Sequence, residues 1–389
     1  MSNSPFRPGY SRKPLVFGGY QKAIKEFENV FENYDFGENQ SVLLSGLRGA
    51  GKTSMLGTLA DIASKHGWIV IREDAAAGIM KRVMDSSIPA ILGSFDTATK
   101  TRLTGLGLWK FNANFEYVDR NREVAPLLRN DLIAISEATD NRGILVLVDE
   151  VSSQKSALKE LARLALELSH AIAAGVNIVV GFAGVKIDLD ELLQQPHMTF
   201  LRRSREIDFR LLTTSETRHV LRETTRTGGR TLSAEAEDHL IATSQGYPYL
   251  VQLAGDYAWR NNPTADMITL ADAENARNKA IIEVEKRVIS RVYQDLSEKD
   301  QEFLKAMSHD DDKSKMSDIV TRMEVSPQYA QVYKQRLIDS GYVKQSGHGF
   351  VIFSLPYLRR HVRSIVLERD EETPDAGDDG WGEFPPPVS

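Results

Sequence analysis

Ser41-Val42-Leu43-Leu44-Ser45-Gly46-Leu47-Arg48-Gly49-Ala50-Gly51-Lys52-Thr53-Ser54 decides the fold. An apolar strand runs into Gly-x-x-x-x-Gly-Lys-Thr, and Met55-Leu56-Gly57-Thr58-Leu59-Ala60 behind it opens a helix. Strand before and helix after is the context that a phosphate-binding P-loop requires. Gly46, Gly49 and Gly51 have no Cβ, so backbone N–H groups can turn inward and close on an anion. The following helix points its positive end at the same place. The expected cradle is Gly46, Leu47, Arg48, Gly49, Ala50, Gly51, Lys52, Thr53 and Ser54, with Lys52 reaching the β/γ-phosphates and the Thr53 hydroxyl ligating Mg²⁺. The alternative is a glycine-rich turn that matches by chance, and the flanking strand and helix argue against it.

Downstream, Gly143-Ile-Leu-Val-Leu-Val148 is a continuous apolar run, the pattern of a strand buried on both faces of a parallel sheet. It ends in Asp149-Glu150. An aspartate there holds Mg²⁺ directly or through water, and the adjacent glutamate polarises an attacking water. A solvated acidic turn is the plain alternative, and the P-loop upstream favours the catalytic reading. Glu150 argues for hydrolysis rather than nucleotide binding alone.

Ile69–Asp74 and Val176–Gly184 are further buried strands, Ile207–Leu212 is a short one, and helical patterns run between them. Strands alternating with helices over residues 15–212 predict an α/β core with a parallel sheet. In such sheets ligands bind at the carboxyl ends of the strands, and both the P-loop and Asp149-Glu150 follow strands directly. Leu103–Val118 alternates in places and predicts a β-hairpin decorating the core. Beyond the 176–184 strand lie Arg202, Arg203 and Arg205. A guanidinium on a γ-phosphate stabilises transition-state charge, but spacing alone favours a surface basic cluster.

From Thr214 the pattern is helical, which predicts a lid subdomain over 213–295. Within it, Gly246-Tyr247-Pro248-Tyr249-Leu250 opens a helix, with Pro248 in the first turn, and is expected to pack near the nucleotide, a plain helix start being the alternative. Residues 296–367 give a helix, a helix-turn-helix and a hairpin around Ser346-Gly347-His348-Gly349, the order of a winged helix-turn-helix. Over residues 324–367, Lys334, Arg336, Lys344, Arg359, Arg360 and Arg363 stand against Glu324 and Asp339. Lys334, Arg336 and Lys344 are the candidate phosphate contacts to double-stranded DNA. A solvated face, or a winged helix turned toward protein, is the alternative.

The chain has 389 residues and a net charge of −6. That length suits about two or three domains. Residues 368–389 carry eight acids against Arg369, a charge of −7, which leaves +1 on the rest. The acidic balance therefore belongs to the tail and does not exclude a nucleic-acid partner. There are no cysteines, so disulfides and thiol chemistry are out, in keeping with a cytoplasmic protein. The first residues lack the apolar core of a signal peptide, and no apolar run approaches the roughly 18–20 residues of a membrane span. Residues 1–14 are expected as a flexible lead and 368–389 as a disordered acidic tail.

Taken together, Gly46-Leu-Arg-Gly-Ala-Gly-Lys-Thr53, Leu147-Val-Asp-Glu150, Gly246-Tyr-Pro-Tyr-Leu250 and the C-terminal pattern resemble bacterial AAA-family ATPases with a C-terminal winged helix. These are related to the origin-recognition/cell-division-control and STAND ATPases. The resemblance covers about residues 15–366. It implies ATP with Mg²⁺, hydrolysis by a switch or loader acting on DNA, and an arginine finger near Arg202 or Arg203. The alternative is a regulatory or defence scaffold in which nucleotide controls self-association or a protein partner and the winged helix binds protein. There are departures. Gly19 stands where an arginine is usual beside adenine, the strand ending Gly181-Phe-Ala-Gly184 has no polar sensor residue, and no arginine follows Gly246. The departures imply slow or switch-like turnover.

Overall fold

The computed structural model of the chain describes residues 3–9, 12–105 and 127–372. Two compact units emerge, one of residues 1–283 with 339–342, the other of residues 284–338 with 343–389.

The first unit is built on five parallel strands: β1 (Ser41–Gly46), β2 (Ile69–Asp74), β3 (Ile144–Val151), β4 (Ile178–Gly184) and β5 (Arg205–Phe209). Their order is β2-β3-β4-β1-β5. The apolar runs of β1, β3 and β4 explain why these three are central, since a strand covered on both faces must be apolar on both. The order separates β1 from β3 by one strand, which sets their carboxyl ends about 10 Å apart. A site shared by the P-loop and Asp149 follows from that topology.

Helices α1 (Gln21–Asn33) and α2 (Lys52–Lys65) bracket β1. After β2 come α3 (Ile79–Arg82), a π-helical turn at Val83–Ser87, α4 (Ile88–Ser94) and α5 (Thr97–Gly105). Leu103, expected to start a hairpin, belongs to α5, and the remainder of that hairpin, from residue 106, lies outside the described residues. Then α6 (Leu128–Ala138) leads into β3, α7 (Lys155–Ala173) joins β3 to β4, and α8 (Lys186–Leu193) follows β4. Leu158, Leu161, Leu164, Ala165 and Leu168 recur at helical spacing on α7 and are buried in the core.

Beyond β5 the first unit is helical: α9 (Thr214–Thr227), α10 (Ala234–Ser244), α11 (Pro248–Asn261) and α12 (Leu270–Val284). A capping box between Thr213 and Glu216 starts α9. A two-stranded parallel pair, β6 (Thr231–Leu232) with β7 (Met267–Ile268), ties the loops together. The segment 3–9, expected as a flexible lead, carries buried Pro5 and Phe6. Phe6 is 3% exposed and lies against Gly255 of α11, while the Arg7 N–H donates to Gln252 Oε1 at 3.0 Å.

In the second unit a π turn (Glu285–Ile289) and α13 (Ser290–Gln294) precede α14 (Glu298–Ser308), β8 (Ser314–Lys315), α15 (Met316–Met323) and α16 (Pro327–Asp339). A hairpin of β9 (Val343–Gln345) and β10 (Phe350–Phe353) follows, then α17 (Leu358–Glu372). The three short strands form an antiparallel sheet in the order β8-β10-β9. Phe303, Leu304 and Met307 of α14, with Ile319, Val351, Leu358 and Val362, are buried. Helix α17 runs five residues into the stretch expected as disordered, where Glu and Arg are good helix formers. Residues 373–389 lie outside the described residues.

Candidate functional site

The loop after β1 has the backbone that its glycines permit. Gly46, Gly49 and Gly51 sit at φ 138°, 73° and 106°, a region closed to most side chains. The Ala50 N–H closes the turn on the Leu47 carbonyl at 3.2 Å. Lys52, first residue of α2, folds back, and its Nζ donates to the carbonyls of Gly46 (2.6 Å) and Leu47 (2.9 Å). Desolvation pushes its ammonium down to about 8. Asp149, Asp208 and Glu150 pull it upward, and Arg48 pushes it further down. A desolvated cation held only by carbonyls in its own loop gains from an anion beside it.

Asp149 is 4% exposed at the end of β3. Its Oδ1 accepts the Glu150 N–H at 2.9 Å, and its Oδ2 lies 3.8 Å from the Arg72 guanidinium of β2. Glu150 occupies a bulge: Val148 faces Phe182 and Val151 faces Gly184, so three steps along β3 meet two along β4. Its φ of 55° is a left-handed value unusual for a glutamate, and the side chain is exposed. Along β3, whose residues are otherwise buried on both faces, Glu150 is the exposed one. Just beyond, the Ser153 N–H donates to Asp188 Oδ1 of α8 (3.0 Å), and burial raises the Asp188 carboxyl above its usual range.

These residues suit a phosphate with a divalent cation. Thr53 and Asp149 offer two oxygen ligands, and no group of three or more His, Cys, Asp or Glu able to hold a metal occurs among the described residues. A cation held here would draw the rest of its shell from phosphate and water, which suits Mg²⁺ better than a site built wholly of protein ligands.

Next to the loop is an aromatic ledge. Tyr20 stacks on Phe209 (centroids 4.4 Å apart, 19° between planes), and Phe17 meets Tyr20 edge-on at 6.2 Å. A Cβ at Gly51 would stand 3.6 Å from Phe17 and 3.9 Å from Phe209. Tyr20 Oη donates to the Asp208 carbonyl and accepts the Arg210 N–H, both at 3.0 Å. At Gly19, where the resemblance expects arginine, a Cβ would stand 2.9 Å from the Glu216 carboxylate. Arg210 pairs with that carboxylate at 2.8 Å, which drives Glu216 down to about 2. The guanidinium that meets Glu216 is that of Arg210.

Two features leave no signal in the sequence. Arg72 beside Asp149 follows only from the pairing of β2 with β3. A polar group of Ser45, Glu206 and Lys186 flanks β1, with Ser45 Oγ donating to Glu206 (3.1 Å) and Lys186 pairing with it (2.8 Å). Tyr247, fully buried at the start of α11, donates its phenol to the Arg48 carbonyl at 2.7 Å. The stretch Gly246–Leu250 was expected to pack near the nucleotide, and Tyr247 is the residue through which it meets the P-loop, although no local pattern marks that hydrogen bond.

Arg202 and Arg203 are not brought to this P-loop. They form a short 3-10 turn before β5 and are exposed. Arg205 pairs in register with Val42, at the amino end of β1, whereas the P-loop follows the carboxyl end, so they stand at least ~13 Å from it. Arg202 donates to the Leu193 carbonyl (2.8 Å), and Arg205 is bound to Glu26 (2.6 Å) and Asn39. In the second unit Lys334 is only 8% exposed and Arg336 pairs with Asp300 at 3.0 Å, so neither side chain is a free cation for phosphate. Lys344, on β9, is exposed.

A five-stranded parallel sheet with a P-loop after β1 and an acidic pair at the carboxyl end of β3 defines a P-loop ATPase fold. The match to solved structures shows the same fold. The Walker-type ATPase PABY2304 of Pyrococcus abyssi superposes with a TM-score of 0.62 at 13% identity, covering 90% of this chain and 97% of that one. The ORC2 protein of Aeropyrum pernix, in its ADPNP-ADP complexes, gives 0.59 at 15% identity over 94% and 98%. Residues 286–362 match a domain of unknown function, DUF8462. No curated protein matches the sequence. No described helix is long and apolar enough to cross a membrane.

Proposed function

We propose that the chain is an AAA-type switch that binds and hydrolyses ATP with Mg²⁺. The observation that carries this is the convergence of a glycine-shaped loop, a desolvated Lys52, a buried Asp149 and a bulge-exposed Glu150 at the carboxyl edge of one sheet. The fold shared with an ORC2 protein seen with ADPNP and ADP supports the choice of adenine nucleotide. In this reading Lys52 holds the terminal phosphates, and Thr53 and Asp149 hold the cation, which supplies Lewis-acid polarisation of the phosphoryl oxygens. Glu150 orients the attacking water and accepts its proton. Phe17, Tyr20 and Phe209 form the base side. The test is ATP turnover by wild type, Lys52→Ala and Glu150→Gln. Lys52→Ala loses binding, Glu150→Gln binds ATP but turns over at least ~100-fold slower, and equal turnover in all three sinks the proposal.

The second unit would be the output module, with residues 296–367 as a winged helix. Burial of Lys334 and pairing of Arg336, together with exposed Tyr329 and Val332 on α16, favour a protein partner or self-association over duplex DNA. Binding to duplex DNA across a salt series, wild type against Lys344→Ala, separates the two. DNA affinity whose salt slope falls by about one in the variant supports DNA. Absence of DNA binding, with sedimentation that changes between ADP and a non-hydrolysable ATP analogue, supports the protein partner.

A further inference from the structure

Tyr247 is a large polar side chain with no exposed surface, and its hydroxyl spends its hydrogen bond on the phosphate loop. The phenol donates to the Arg48 carbonyl at 2.7 Å, across 199 positions in sequence. The contact is intimate on the other side too, for a Cβ on Gly49 would run into the same hydroxyl. Gly49 therefore has two reasons to be glycine, its φ of 73° and the approach of Tyr247. The ring is fixed from its own end as well. Tyr247 is the N-cap of α11, its N–H donates to the Ser244 carbonyl (2.9 Å), and its carbonyl accepts from Val251 (2.9 Å). Gly246, at φ 74°, packs on the Leu212 backbone, and its carbonyl accepts the Leu212 N–H at 2.8 Å.

The consequence comes from the peptide plane. In a trans peptide the carbonyl of Arg48 and the N–H of Gly49 lie antiparallel in one rigid plane. A donor that holds the carbonyl on one side therefore fixes the N–H on the other. We infer that Tyr247 is a positioning residue: it locks the Arg48–Gly49 peptide so that the Gly49 N–H is presented to the β-phosphate of a bound nucleotide, and it couples the placement of α11 to the shape of the loop. This rests on the nucleotide reading proposed above and adds a determinant of phosphate affinity that lies outside the P-loop and the acidic pair.

The test is affinity for ADP and for AMP, by competition against a fluorescent adenine nucleotide, in wild type and Tyr247→Phe. Phenylalanine keeps the ring and its packing and removes only the donor. One hydrogen bond predicts a three- to tenfold, roughly, loss of ADP affinity, with AMP affinity unchanged because AMP has no β-phosphate. The ³¹P resonance of the β-phosphate of bound ADP should move in the variant. A parallel loss for both nucleotides, or wild-type ADP affinity with an unmoved resonance, overturns the inference and leaves the nucleotide reading standing. A wild-type protein that binds neither nucleotide removes both. Thermal unfolding without nucleotide checks the fold, and the ADP/AMP ratio is insensitive to a uniform loss of stability.

Discussion

Lys52 sits against the carbonyls of its own loop with its ammonium depressed to about 8 by desolvation. Because the folded value lies below that of an unfolded lysine, the charged form is disfavoured in the folded chain. Stability without ligand therefore rises as pH climbs through about 8 toward the ordinary lysine range. Nucleotide affinity has the opposite sense. The ammonium binds phosphate and the neutral amine does not, so ADP affinity should be level below pH ~7 and fall above pH ~8, by at most about tenfold per unit. Titration calorimetry at several pH values checks this, and a flat profile would remove Lys52 from phosphate binding. Asp149 supplies a second case. Its Oδ2 faces Arg72 at 3.8 Å, on the carboxylate that would take the cation, so the two positive charges compete. Arg72→Gln should tighten Mn²⁺ binding to the protein–ADP complex about three- to tenfold, read by electron paramagnetic resonance, whereas Arg72→Lys should not; weaker or equal binding in the Gln variant contradicts it. Lys52, Thr53, Asp149 and Glu150 were legible in the sequence because phosphate chemistry dictates both residue type and spacing. Arg72 was not, because only the pairing of β2 with β3 places it beside Asp149, and the stretch around Tyr247 was expected near the nucleotide but its hydrogen bond to the loop follows only from helix docking.

Among the elements, the strands were the clearest, since burial on both faces forces apolar runs such as Ile144–Val148 and Ile178–Val180. The bulge at Glu150 was hidden, because one extra residue in β3 changes the register without changing composition. The amino-terminal segment shows another limit. Met1–Pro14 has the proline, serine and arginine of an extended lead, and composition hides that a single side chain can anchor such a stretch. Phe6 does so, 3% exposed against Gly255 of α11, while Pro5 approaches Gly228 at the end of α9. Gly255 and Gly228 leave the space that these side chains fill. Phe6→Ala should thus destabilise the first unit by about 3 kcal/mol in urea unfolding, the cost of deleting a buried aromatic ring. A change below ~0.5 kcal/mol would mean that the segment lies loose in solution.

Across the whole molecule, the placement of charge relative to the sheet decides what one chain can do alone. The P-loop, Asp149 and Glu150 stand at the carboxyl edge, and Arg202 and Arg203 stand before β5 at the amino edge, beside the level of Ser41. A guanidinium reaches only a few ångströms beyond its backbone attachment, so neither arginine serves the site of its own chain. A finger role therefore requires a second copy, with Arg202 and Arg203 of one protomer turned to the P-loop of the next. Such a contact is heterologous, pairing two different surfaces, and it makes complementation possible. Lys52→Ala has a dead site and intact arginines, and the double variant Arg202→Ala/Arg203→Ala has the reverse. Each should be inactive in ATP turnover alone. Mixed in equal amounts they should recover about a quarter of wild-type activity, the fraction of random interfaces that join an intact site to intact arginines. Wild-type turnover by the double variant alone would show that the cluster is only a solvated surface. Two variants that are inactive alone and stay inactive when mixed would place the need for the arginines elsewhere than in a neighbour's site. Recovery that vanishes on dilution, with sedimentation reporting dissociation over the same concentrations, would tie the finger to assembly.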